Sequence, residues 1–316
     1  MFDDPGLRER LSELARDRRA GVDSDRARPA GAAPDAGAEG AAASVVFKPD
    51  LDAHGALLAR DGVGVEAFLP GGEWRDAKGA VYVHERLRSQ IEKRGAQWGL
   101  LGDPPEEEPD LTAIRALGLG SALFLDLETG GFSSTPVFLA GTMWWNGSDF
   151  VVRQYFARHY GEEAALLRVL AEAARGFEFL VTFNGKSYDA PFLRGRAHVH
   201  GERIDLPPRH LDLLHPARRR WKHTLRDCKL QTLEYYVCRR RRAGDVPSDE
   251  VPGLYHDFVR HGDPYRLIPV FHHNMLDVLT MSDVLAALCS PGATVARNGH
   301  DRGDLMTKGC ATCGGE

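Results

Sequence analysis

The sequence predicts an α/β fold, a mixed sheet flanked by helices, and three observations carry that prediction. Its most apolar run, around "LFLDLETGGF" (123–132), reads as a strand buried on both faces. Two further strand-like runs follow, over 136–145 and 149–156, joined by "WWNGSDF" with its Asn-Gly turn signal. A helical pattern over 161–175 then returns the chain to an apolar strand over 178–183, after which helical periodicity dominates. Three strands suited to hairpin connections, followed by a helix and a strand beside the first, give a mixed sheet.

The rest of the chain divides around this core. Residues 1–44 begin with a short amphipathic helix within 1–14, where Asp3 and Asp4 offer a cap, Pro5 suits the first turn, and Leu7, Leu11 and Leu14 share a face. Residues 15–44 are Ala, Gly, Pro, Asp and Arg with Val22 as the one large aliphatic, the composition of a disordered linker. Residues 45–111 form an accessory region with a hairpin in "GGEWRDAKGAVYVHERL". The acidic, Pro-rich "DPPEEEPD" (103–110) marks its boundary with the main domain, 112–290. A disordered tail, 291–316, carries Cys310-x-x-Cys313.

Composition narrows the function classes. The 43% hydrophobic content and mean hydropathy of −0.34 describe a soluble protein. No apolar run approaches the roughly 18 residues of a membrane span, and "MFDDPGLRER" lacks the apolar core of a signal peptide. Five cysteines in 316 residues do not suggest a disulfide framework, and a reducing cytoplasm is the default. The net charge of −5 conceals an asymmetry: Arg218 to Arg242 holds ten Lys or Arg, opposed by Asp227 and Glu234 alone. An acidic protein with one basic block suggests a polyanion partner.

Candidate chemistry begins with Asp126 and Glu128. Residues two apart in a strand share a face, so these carboxylates project together from an apolar run. A solvated strand end would leave them idle; a buried pair calls for a positive partner, and a hard divalent cation with oxygen ligands is one. A second stretch, "FLVTFNGKSYDAPFL" (179–193), ends an apolar strand at Asn184-Gly185 and starts a new segment at Asp189. A third, "HHNMLDVLTMSDVLAAL" (272–288), has helical apolar spacing and places His273 four residues before Asp277, on one face. Taken singly, Asp189 is readable as a helix cap and the His–Asp pair as a surface contact.

Together and in this order, Asp126-x-Glu128, "NGKSYD" ending at Asp189, and a His one turn before Asp277 resemble the DEDD exonuclease superfamily of the ribonuclease H-like fold. The resemblance covers roughly 121–290 and is similar in detail to the YprB-like bacterial ribonuclease H-like group, where "DLET" opens the domain. A segment like "DVPSDEVPGLYHDFVRHGDP" (245–264) there precedes a His-Asn-x-x-Asp helix. The resemblance implies a metal-dependent nuclease hydrolysing phosphodiesters, most simply a 3′–5′ exonuclease on single-stranded DNA or RNA. Two Mg²⁺ or Mn²⁺ ions would be held by Asp126, Glu128, Asp189 and Asp277, about 3.5–4 Å apart, to stabilise the attacking and leaving oxygens.

A His with a pKa near 6.5 suits proton removal from water. The histidine subgroup of the superfamily places its base five residues before the last Asp, which selects His272. The tyrosine subgroup, whose second motif has the spacing seen here, places a Tyr four before, which selects His273. We favour His273 and retain His272 as the alternative. Asp212, in "RHLDLLHPARRRW", falls where the family has an acidic residue, with a helix-start role as its other reading.

Nucleic acid is the expected partner; no protein partner is indicated. "ETGG" stands where many relatives have "ETTG", so the backbone at Thr129 and Gly130 is expected to approach a terminal nucleotide closely. Asn184 is placed with them. Arg218, Arg219, Arg220, Lys222 and Arg239 to Arg242 can meet a phosphate backbone, while Trp221, Tyr235 and Tyr236 stack on bases or pack inward. Phe132 is a wedge or a core residue, and Tyr188 is expected in the core. The Cys310/Cys313 pair lacks a second CxxC to make four zinc ligands and reads as idle thiols, with His300, Cys289 or another chain as what would complete a site; Cys228 and Cys238 are expected to be buried. A structure-specific endonuclease and a non-catalytic nucleic-acid-binding protein on the same fold are the alternative functions.

Overall fold

The computed structural model describes residues 64–92, 101–131, 134–242 and 245–290. The expected helix within 1–14, the linker, Phe132 and the Cys310-x-x-Cys313 tail lie outside them. Seven strands form one sheet: β1 (Gly71–Asp76), β2 (Gly79–Leu87), β3 (Ala122–Thr129), β4 (Val137–Trp145), β5 (Phe150–Phe156), β6 (Phe179–Thr182) and β7 (Arg209–Asp212). Their spatial order is β1-β2-β5-β4-β3-β6-β7, antiparallel from β1 through β3 and parallel from β3 through β7. The helices are α1 (Arg88–Ile91), α2 (Pro109–Leu117), α3 (Glu163–Ala173), α4 (Asp189–Val199), α5 (Leu214–Trp221), α6 (Leu230–Tyr236), α7 (Val251–His261) and α8 (Ile268–Leu288).

The three early strands, the Asn-Gly hairpin and the return strand stand where local pattern put them. Asn146 closes the hairpin, its Oδ1 accepting from the N–H groups of Ser148 and Asp149. Two differences have clear causes. The hairpin of the region drawn as accessory pairs β2 with β5, so it extends the main sheet and the boundary at 111 runs through one sheet. A seventh strand, β7, occupies a stretch expected to be helical. It is only four residues long and carries Arg209 and His210, so its alternation is invisible without β6 beside it.

The sheet's two faces are covered differently. On one, Phe124, Met143, Phe150 and Val152 pack against Met275, Leu279 and Val278 of α8. On the other, Leu125, Leu127 and Ala140 pack against Leu166, Leu167 and Leu170 of α3. A third cluster seats Tyr255 of α7 on Phe138, at a ring-centroid distance of 4.0 Å, beside Phe156 and Phe271. The period-two alternation of β3 therefore sends Phe124, Asp126 and Glu128 toward α8, as the pattern requires.

α8 crosses the sheet at a polar point. Asp126, Gly141 and Gln154 lie side by side across β3, β4 and β5. Above them Asn274 donates from Nδ2 to Asp126 Oδ2 (2.9 Å) and to Asp126 O (3.2 Å), and its Oδ1 accepts from Gln154 Nε2 (2.9 Å). Gln154 also donates to Phe271 O (2.8 Å). Asn274 is fully buried, and this bridge satisfies it. It fits only because residue 141 has no side chain: a Cβ there would stand 2.2 Å from Asn274 Oδ1.

Gly141→Ala is accordingly expected to lift α8 off the strand and destabilise the fold by about 1–3 kcal/mol, as overpacking does. In a domain of this size that lowers the melting midpoint by about 2–4 °C per kcal/mol. Calorimetry reads the shift, and an unchanged midpoint would show that the Asn274 bridge does not set the α8–sheet distance.

Candidate metal and nuclease site

Four acidic side chains converge at the end of β3 that projects past β6. β6 pairs with β3 only through Phe124, so the strand beyond it is open on that edge. Asp126 and Glu128 come from β3, Asp189 is the first residue of α4, and Asp277 lies midway along α8. Glu128 and Asp189 are buried. The sharp turn at Asn184, whose φ is +67°, brings α4 back to the strand end. Asp212 holds that turn: its carboxylate accepts from the N–H groups of Asn184 (2.7 Å), Lys186 (3.0 Å) and Leu214 (3.1 Å). Asp212 thus has the helix-start role, with a turn anchor added, and its carboxylate is engaged outside the cluster.

Electrostatics describe a site short of positive charge. Burial, then Asp277, Glu128 and Asp189, raise the Asp126 carboxyl well above its ordinary range against the Asn274 hydrogen bond. Glu128 is pushed up to about 8 by burial and by Asp277, Asp189 and Asp245, with His273 opposing. Asp189 rises to about 7, burial outweighing the backbone N–H groups of Asp189 and Leu127 that favour its charged form. Among the described residues none of these three forms an ion pair, whereas Asp277 is held by the Arg242 guanidinium.

His273, not His272, is on the cleft. Its Nε2 lies 3.6 Å from Asp277 Oδ2 and its Nδ1 2.7 Å from Asp245 Oδ1. Burial pulls its pKa down, but Asp245, Asp277 and Glu128 outweigh that and leave it raised. His272, a further 100° round the helix by pitch, does not line the cleft, and burial lowers its pKa. The cleft is an open space of about 380 Å³ between the β3 end and the start of α7, bounded by Thr129, Gly131, Val251 and Pro252.

The "ETGG" turn is clamped from three sides. Gly130 N donates to Pro136 O (2.9 Å), and Gly130 O stands 3.0 Å from His256 Nε2 of α7. Gly131 has φ +119°, a conformation few side chains adopt. Thr129 Oγ1 is 2.9 Å from the Tyr188 hydroxyl. Tyr188, expected in the core, is 42% exposed and lines the cleft: it stands just before α4, whose first residue, Asp189, is the one that is buried. Asn184 is exposed and lies outside the cleft lining.

The basic block divides. Arg240 is buried and binds Glu92 (2.8 Å) and Asp283 (2.9 Å), so it cannot serve as the phosphate contact expected of it. Arg220 donates to the carbonyls of Ala287, Leu288 and Ser290, closing the C-terminus of α8. Arg219 is exposed but forks onto Glu108. Arg242 is bound to Glu234 (2.7 Å), Asp245 (3.2 Å) and Asp277. Arg218, Lys222, Arg239 and Arg241 face solvent. Trp221 is buried and Tyr235 and Tyr236 are half-buried, as are Cys228 and Cys238 respectively.

Sequence reasoning missed Asn274, Arg242's place beside Asp277, and Asp245. A Gly inside the apolar run "FLAGTMWW" signals close approach of another group, which is how the Asn274 contact was findable. Nothing local marks Asp245.

Comparison with known proteins finds relatives of this chain. A family model described as the RNase_H superfamily matches residues 123–289. An uncharacterized protein YprB of Bacillus subtilis (strain 168) is 35% identical over 174 residues, covering 54% of this chain and 42% of that protein. The chain thus spans less than half the length of that relative. Among solved structures, the family B DNA polymerase of the hyperthermophilic archaeon Pyrobaculum calidifontis is similar over 52% of this chain and 24% of its own, with 17% identity and a TM-score of 0.42. With the matched residues spanning β3 through the end of α8, and so every candidate site residue of the cleft, the chain belongs to the RNase_H superfamily.

Proposed function

We propose that this protein is a metal-dependent nuclease, a 3′–5′ exonuclease acting on single-stranded ends. The observation that carries the proposal is the convergence of Asp126, Glu128 and Asp277 on one open cleft beside His273, with Asp189 buried and close enough to raise the pKa of Asp126 and Glu128. Burial, with the neighbouring carboxylates adding to it, raises the pKa values of three of those carboxylates. The donor set is all oxygen, which suits Mg²⁺ or Mn²⁺. Among the described residues no three such side chains already stand at ligating spacing. Arg242 meanwhile holds Asp277.

Two divalent ions held there would supply charge stabilisation to the phosphodiester as it is cleaved. The chain's own residues do the rest. Asp126, Glu128, Asp189 and Asp277 would hold the ions, and Asn274 fixes the first of them against α8. His273 receives the proton of the attacking water at Nε2, the nitrogen on Asp277's side. Thr129 and the Gly130-Gly131 backbone border the terminal nucleotide. The wall made by Val251 and Pro252 supports a single-strand reading, since a cleft of about 380 Å³ has the size of a small-molecule site and suits one nucleotide. Arg218, Lys222, Arg239 and Arg241 are the phosphate contacts that remain from the basic block.

The decisive experiment is an assay with Mg²⁺ or Mn²⁺ on end-labelled DNA and RNA strands, blocked in turn at the 3′ and 5′ ends. Loss of product on 3′ blocking alone is expected. Cleavage insensitive to both blocks would replace this reading with an endonuclease, and no cleavage with a binding protein. Asp126→Ala is expected to abolish turnover while oligonucleotide binding persists, because it removes a metal ligand and no phosphate contact. Retention of more than a small fraction of the wild-type rate would sink the metal assignment.

Ala at Arg218, Lys222 and Arg241 together is expected to reduce the slope of log affinity against log salt by about 0.7 per contact on single strands. Filter binding across salt concentrations measures it, and an unchanged slope would make that surface a solvated face.

Metal-free stability follows from the raised carboxyls. Folded Glu128 and Asp189 hold protons to about 8 and about 7, where the unfolded chain releases them near 4.5 and 3.8. Between those limits the unfolded state binds fewer protons, so stability falls as pH rises. Melting of the metal-free protein is therefore expected to drop from pH 5 to pH 8, Mg²⁺ to restore it, and Glu128→Gln to flatten the dependence. A flat wild-type profile would refute the uncompensated-charge description.

A further inference from the structure

The geometry points to Asp245 as the positioning residue that fixes the tautomer and orientation of His273, an inference that rests on His273 being the base of the proposed nuclease. Asp245 lies in the connection between α6 and α7, 28 residues before His273, and its Oδ1 is 2.7 Å from His273 Nδ1. An ionised carboxylate only accepts hydrogen bonds, so Nδ1 carries the hydrogen. In the neutral ring this leaves Nε2 unprotonated, facing Asp277 Oδ2 at 3.6 Å. A water on the cleft side of that nitrogen meets an acceptor. The opposite tautomer would present a donor there and could take no proton.

The carboxylate is itself oriented. Its other oxygen, Oδ2, accepts from Arg242 Nη1 (3.2 Å) and Gln231 Nε2 (3.2 Å), which leaves Oδ1 directed at the imidazole. Arg242 also grips Asp277 and Glu234, so one guanidinium sets the spacing between the carboxylate behind His273 and the carboxylate in front of it. Rotation of an imidazole about its second side-chain torsion is broad and roughly two-fold; the hydrogen bond to an ionised partner, about twice as strong as a neutral one, selects one orientation.

The test combines a spectroscopic and a kinetic readout on the full chain. In long-range ¹H–¹⁵N correlation spectra at pH 9 without metal, His273, identified by its loss in His273→Ala, is expected to show Nδ1 protonated and Nε2 bare. In Asp245→Ala it is expected to shift toward the Nε2-protonated form, with kcat on a labelled single strand falling about 10²-fold or more and KM nearly unchanged. The other twelve of the thirteen histidines serve as the internal check of folding. An unchanged tautomer, or a kcat within about threefold of wild type, overturns the proposal. Should the Ala variant not fold, Asp245→Leu, which offers His273 no acceptor, carries the test, and tautomer and kcat must then change together. One moving without the other also overturns it. The underlying function fails differently, through full activity in His273→Ala.

Discussion

The placing of Asp126, Glu128, Asp189 and Asp277 together at the end of β3 is the constraint around which the site is built, for burial and neighbouring acidic groups raise the pKa values of the first three. β3, α4 and α8 bring them there as they pack the sheet. β3 contributes two of them by its period-two alternation, α4 begins at the third, and α8 delivers the fourth a turn beyond His273. Each delivery is mechanically secured. Asp212 pins the turn that leads to α4, and Asn274 ties α8 to Asp126 over the bare backbone of Gly141.

α8 carries the counterweight. Its apolar face is packed on the sheet, and a polar face runs from His273 through Asp277 and Thr280 to Asp283. Arg242 meets Asp277 and Glu234, Glu234 accepts from Thr280, Arg240 joins Thr280 to Asp283 and Glu92, and Arg88, fully buried, closes the run on Asp283, Glu92 and Ser282. A buried network of this kind contributes less net stability than its count of ion pairs suggests, because desolvation offsets the attraction. Breaking it at one member is costly, since the remaining charges stay buried. Its consequence for the site is positional: the arginines of the basic block set where α8 and its acidic residues stand.

The wall opposite β3 is made by α7, and it is apolar where it meets the cleft. Tyr255 stacks on Phe138 while His256 reaches Gly130 O, so one helix both seals the third core cluster and grips the "ETGG" turn. The cleft is therefore bounded by β3 on one side and by a packed helix on the other.

The sequence alone determined which carboxylates share a face, because strand and helix periodicity are local properties: Asp126 with Glu128, and His273 with Asp277. It also determined the order of the first strands, since the Asn-Gly turn and the apolar runs are read within a few residues. The resemblance built on three spaced motifs located the cleft. Tertiary structure decided the rest. β7 exists only as the partner of β6, and the 45–111 hairpin joins the sheet through β5. Arg240 and Arg242 turn inward because their acidic partners, Glu92, Asp277 and Asp283, come from elements far along the chain. Tyr188 lines the cleft just before α4, whose first residue, Asp189, is the one that is buried. Asn274 meets Asp126 across 148 residues, and Asp245 meets His273 across 28. Contacts of that separation leave no periodic trace in the sequence, since neither partner's neighbours depend on them; only the packed chain brings the two ends together.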